Sequence, residues 1–196
     1  MAPKIQYSDE QVSDAAARSR LREGWYKFVV KDVTSTTSKE TKHLMLVSED
    51  LALEDQNDNA SGVTPSVRNR LVLPFNNPDE EGHTGPNTSG FCLQWARAIL
   101  GPEEIPFYPR RDMKTGKIFF GEEEVSEEQS GTIRKTILKK VFDTVIQWYD
   151  DPALLVGKTY FGLIEHNGDY AQVAKMEYKL PKDANCVPKG HFIVKN

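Results

Sequence analysis

The run Gly24-Trp-Tyr-Lys-Phe-Val-Val-Lys-Asp-Val alternates cations with rings and branched side chains. In an extended chain Lys27 and Lys31 share one side with Trp25, Val29 and Val33, and Tyr26, Phe28 and Val30 share the other. Positive groups beside a flat ring are what an unpaired nucleic-acid strand needs. Cations follow the phosphates, and ring faces stack under the bases, adding roughly 1–3 kcal/mol per base whatever its identity. The same residue types recur along the chain. Lys39, Lys42 and His43 end a polar loop, and Arg70 alternates with Leu71 and Leu73. Arg110, Arg111, Lys114 and Lys117 interleave with Tyr108, Phe119 and Phe120. Tyr160 and Lys175 are expected opposite one another in a closing hairpin.

Catalytic signatures are missing by comparison. There is no Gly-x-x-x-x-Gly-Lys-Ser/Thr phosphate loop, no His-Glu-x-x-His and no nucleophile elbow. Asp150-Asp151 and Glu122 to Glu124 are adjacent acids of the kind that usually face solvent. The four histidines (His43, His83, His166 and His191) are scattered, and Cys92 and Cys186 lack metal spacing. The expectation is a non-catalytic protein without metal or cofactor, with both thiols free in a reducing, cytoplasmic setting.

The elements that position these residues read as follows. Gly24 to Val33 is a strand rich in aromatic and β-branched residues, with Tyr26, Phe28 and Val30 as its core face. Ser35 to Thr41 is a polar loop, and His43 to Val47 is the returning strand, extending toward Leu53. Arg68 to Phe75 is a third strand. Gly90 to Leu100 is a helix capped by Ser89 and stopped by Gly101-Pro102, with Trp95 packed into the core. Ser130 to Tyr149 is an amphipathic helix, with Ile133, Ile137, Val141, Val145 and Trp148 on one stripe. Asn167-Gly168 is the strongest turn signal and joins two last strands. Counting back from it pairs Ile164 with Ala171, Gly162 with Val173 and Tyr160 with Lys175. Gly162 inside a strand implies a bend or a close backbone approach.

At 196 residues and 38% hydrophobic content the chain can build one core with insertions. Its formal charge of −4 gives no global attraction to polyanions, so any such site is a local, salt-sensitive patch. No apolar run is long enough for a membrane span, and no signal peptide is evident. The expected organisation is a basic N-terminal helix or arm over residues 1–22, one domain over 23–181, and a tail over 182–196. Insertions fall near 54–67, 76–88 and 103–151. Three strands, a helix and two strands is the order of the OB-fold, a five-stranded Greek-key barrel. The alternative is another small α+β sheet domain.

Two stretches carry a family resemblance. Gly24-Trp-Tyr-Lys-Phe-Val-Val with Lys42-His-Leu-Met-Leu-Val resembles the opening of phage-type OB-fold single-stranded DNA-binding proteins. Leu155-Val-Gly-Lys-Thr-Tyr-Phe-Gly-Leu-Ile with Tyr170-Ala-Gln-Val resembles their closing hairpin. Together they cover about a third of the chain. The resemblance implies non-sequence-specific binding of single-stranded DNA in viral replication or recombination, with replication or recombination proteins as further partners, in the infected cell. One departure stands out: many such proteins end in an acidic tail, whereas this sequence ends Lys-Gly-His-Phe-Ile-Val-Lys-Asn. The alternative function is an OB protein-interaction module that binds no nucleic acid.

Overall fold

A computed structural model describes residue 21 and residues 23–53, 66–75, 87–168 and 170–184. The expected arm with Arg18, Arg20 and Arg22, most of the two loops near 54–67 and 76–88, the tail from residue 185, and His83, Cys186 and His191 lie outside the described residues.

The chain runs β1 (Gly24–Thr37), β2 (Leu44–Ala52), β3 (Ser66–Val72), α1 (Ser89–Leu100), β4 (Arg110–Arg111), β5 (Ile118–Phe120), β6 (Glu123–Val125) and α2 (Glu127–Asp150). A 3₁₀ turn (Pro152–Leu155) leads into β7 (Thr159–Asn167) and β8 (Tyr170–Glu177). Among the described residues the protein is therefore mainly β with two helices, built on a five-stranded antiparallel sheet of order β3-β2-β1-β7-β8. A second sheet of order β4-β5-β6 precedes α2. The large sheet does not close: β3 and β8 approach one another without a ladder among the described residues, and α1 packs against both.

One face of the large sheet is the core. Tyr26, Phe28, Val30, Leu46, Val67, Leu71, Tyr160 and Ile164 point into it and are buried. Alternation alone puts Val33 on the opposite side, with Trp25 and Val29. The structure corrects this. The β1–β2 register shifts between Val30 and Asp32, so Lys31 is an extra residue. A bulge of this kind inverts the phase of everything beyond it, and Val33 becomes buried while Lys31 and Asp32 are both exposed.

The closing hairpin is also offset from its expected register. Asn167 pairs with Tyr170, so the turn falls one residue later than Asn167-Gly168, and Gly168 takes φ 59°. A second shift between Leu163 and Ile164 adds to the offset. The observed pairs are Ile164 with Val173, Gly162 with Met176 and Leu163 with Lys175. The close approach expected at Gly162 is present: a Cβ built there would stand 2.8 Å from the Phe28 ring.

Both helices differ at their starts from the sequence reading. Thr88, not Ser89, is the N-cap of α1, and its hydroxyl donates to Val72 O at 2.6 Å, tying the helix to β3. In α2 the helix begins at Glu127, because Ser126 and Gln129 form a reciprocal capping box. The acidic stretch before it supplies β6 and the first helical turn. Trp95 and Trp148 are buried in the core, both as expected.

Candidate nucleic-acid interface

The outward face of the large sheet gathers side chains from all five strands. Its rows follow from register. Trp25, Leu163 and Lys175 lie side by side on β1, β7 and β8; Lys27, Phe161 and Glu177 form the next row. Further along come Val29, Leu51, Ser66 and Thr159. Then follow Asp32, Glu49 and Arg68, and then Thr34, Val47 and Arg70. Residues directly opposite across antiparallel strands share a face, so Trp25 and Phe161 are diagonal neighbours with Lys27 and Lys175 beside them. Trp25, Phe161 and Leu163 are half-buried, and Lys27, Lys31, Arg68, Arg70 and Lys175 are exposed.

The electrostatics of this face are mixed. Lys31 Nζ lies 3.4 Å from Glu49 Oε1, and Asp32, Glu165 and Glu177 add negative charge. Its cations form local positive spots, not a uniform basic field. The β1–β2 loop rises at one end. It is held by Ser38 N donating to His43 O at 2.9 Å and Thr41 N donating to Ser38 Oγ at 3.1 Å. Lys39 and Lys42 are exposed on it, and His43 is half-buried where it meets β2.

Of the sequence-predicted residues, the sheet brings together Trp25, Lys27, Lys31, Arg70 and Lys175, with Lys39, Lys42 and His43 at one margin. Tyr160 is a correction. It sits on the core face, 1% exposed, where its ring stacks on Phe28 at 5.4 Å. It cannot lie against a base there. Its hydroxyl donates to Asp50 Oδ2 at 2.7 Å, and Asn69 Nδ2 donates to the Tyr160 oxygen at 2.8 Å and also to Asp50. Burial pushes the Asp50 carboxyl above its ordinary range, with the Tyr160 and Asn69 hydrogen bonds pulling the other way. Burial likewise raises the Tyr160 phenol, reinforced by the Asp50 charge.

The Arg110 to Lys117 segment belongs to the second sheet, whose strand β5 packs on α2. Its turn is pinned internally. Asp112 accepts from Lys114 N at 2.9 Å and from the Thr115 hydroxyl at 2.8 Å, which holds its carboxyl below the usual range. Arg111 is ion-paired with Glu127, and Lys117 with Glu124 at 2.6 Å. Two of the four cations expected to hold phosphate thus already face carboxylates, while Arg110 and Lys114 are exposed without an ion pair among the described residues. Sequence reasoning missed Phe161, Leu163 and Arg68. The signal was available for the first two: in Lys158 to Glu165 the small Gly162 marks the face that meets a ring, which sends Phe161 and Leu163 outward.

Among the described residues no three His, Cys, Asp or Glu side chains converge to hold a metal, and no helix is long and apolar enough to cross a membrane. Cys92 is buried and unbridged, its thiol pushed up to about 12 by burial. Comparison with family models, with curated proteins and with solved structures finds no match to this chain.

Proposed function

We propose that this protein binds single-stranded DNA without strong sequence preference, through the outward face of an OB-type sheet, in replication or recombination. One observation carries the reading: Trp25 and Phe161 stand diagonally on that face with Lys27 and Lys175 in the same two rows. Rings for bases beside cations for phosphates are the two components that single-strand binding combines. The strand order supports the OB reading. In that fold the first strand pairs with both the second and the fourth, and a helix follows the third; here β1 pairs with β2 and β7, and α1 follows β3.

A polar chord through the core points the same way. Asn69 on β3 bonds Tyr160 on β7, three strand steps away. At about 4.8 Å per step a flat sheet would separate them by roughly 14 Å. Side chains standing upright on such a sheet do not span that gap. The sheet is therefore strongly curled, its outer face convex and its edges β3 and β8 drawn together over α1.

Tryptophan fluorescence tests the assignment directly. Trp95 and Trp148 are 7% and 4% exposed, so Trp25 is the tryptophan that a ligand on this face can reach. Titration with oligo-dT is expected to quench emission. Trp25→Phe should bind several-fold more weakly and lose the quench. Binding with unchanged emission, or no binding at low salt, would reject the site or the function respectively.

A further inference from the structure

The bulge at Lys31 breaks the regular pleat of the outward face and leaves a hollow of about 320 Å³, lined by Asp32, Thr34, Val47, Glu49, Ser66 and Arg68, with Ser48 in its wall. Resting on the single-strand reading above, we propose that this hollow receives a guanine base of the bound strand, so that binding is graded by guanine content.

The chemistry of the lining carries this. Asp32, Glu49 and Arg68 stand in one cross-strand row on β1, β2 and β3, placing carboxylate and guanidinium on opposite sides, roughly 10 Å apart at the backbone. Glu49 is engaged by Lys31 at 3.4 Å. Asp32 and Arg68 form no ion pair among the described residues. Two carboxylates on a strand-binding face repel phosphate, so they do not track the backbone; they suit base edges, where amine and imine hydrogens are donors. Guanine presents two adjacent N–H donors, at N1 and N2, and a neighbouring carbonyl acceptor at O6. Asp32 takes the two hydrogens as a bidentate acceptor, and Arg68 donates to O6. Thymine presents one N–H between two carbonyls, which would face the carboxylate. Single-stranded bases are read on this Watson–Crick edge because it is unpaired.

The position is consistent with a strand already stacked on Trp25. Asp32 lies seven residues along β1, roughly 23 Å away at about 3.3 Å per residue, a span within the 4–16 nucleotides that one OB domain covers.

The test measures affinity at one salt concentration for three strands of equal length: oligo-dT, alternating dT-dG, and alternating dT with deoxyinosine. Deoxyinosine keeps the purine ring, N1–H and O6 but lacks the N2 amine, so it separates hydrogen bonding from stacking. The guanine strand is expected to bind about tenfold more tightly than oligo-dT, in line with one bidentate base contact, with the inosine strand close to oligo-dT. Asp32→Asn and Arg68→Ala should each erase most of the preference, Asp32→Asn without weakening oligo-dT binding. Equal affinity for guanine and inosine strands, or a preference that survives both substitutions, would overturn the guanine site and leave single-strand binding intact. Failure to bind any of the three would overturn both.

Discussion

At the scale of single residues, Asp50 is a side chain whose chemistry departs from its type. It is fully buried, yet only Oδ2 is hydrogen-bonded; Oδ1 has no partner. A buried carboxylate that is incompletely paired favours its neutral form. The groups facing it are the Tyr160 phenol from β7, the Asn69 amide from β3 and, on its own strand, Ser48 and the Glu49 charge, which also raises it. The sign of the linkage follows. The folded state holds the Asp50 proton more tightly than the unfolded chain does, so this group's contribution is fully present below the unfolded carboxylate range. It is lost as pH rises through the raised folded value. Urea unfolding at several values from about pH 4 to about pH 8 should therefore show Asp50→Asn gaining on the wild type as pH rises. A constant difference between the two proteins would mean that Asp50 titrates alike folded and unfolded. Tyr160 shows how such a residue misleads from sequence. An aromatic on a strand next to lysines suggests stacking on a ligand, but its hydroxyl instead completes an interior hydrogen-bond set.

At the scale of elements, the contact between β1 and β7 decides which rings are inside. Gly162 pairs with Tyr26, and a Cβ there would meet Phe28 atoms at 2.8 and 2.9 Å and Tyr160 at 3.1 Å. The Phe28 ring is 0% exposed and held between Tyr26, at 5.9 Å, and Tyr160, at 5.4 Å, so it has no free direction in which to yield. Gly162→Ala should lower stability by about 1–3 kcal/mol, the range for overpacking a filled core, read as a lower urea midpoint at unchanged slope. An unchanged midpoint would show that the rings shift freely. Much of the element pattern was legible beforehand. Aromatic alternation marked β1, the stripe from Ile133 to Trp148 marked α2, and the spacing of Leu71 and Leu73 marked β3. The misses share a cause. Bulges at Lys31 and between Leu163 and Ile164 add single residues, and a period-two pattern carries no mark of where a residue is added. That is why Val33 was placed on the wrong face and Tyr160 opposite Lys175, while Trp25 and Lys27 were placed together.

At the scale of the whole molecule, the balance of charges sets how the proposed strand binding would respond to salt. The chain carries −4 overall, so its distant field opposes a polyanion. Attraction must come from cations close to the strand. On the outward face Lys31 is already paired with Glu49, leaving Lys27, Arg68, Arg70 and Lys175 as four exposed cations without an ion pair among the described residues. If each meets one phosphate, log affinity should fall against log salt with a slope of about −2.8, at about −0.7 per contact on single strands. Arg68 engaged with a base would bring this to about −2.1 on guanine-bearing strands. Replacing Lys27 and Lys175 together by Ala should flatten the slope by about 1.4 and weaken oligo-dT binding most at low salt. Replacing Arg111 and Lys117, which face Glu127 and Glu124, should leave it nearly unchanged. The reverse result, a slope that follows Arg111 and Lys117 and ignores Lys27 and Lys175, would move the phosphate path off the large sheet and onto the β4–β5 turn.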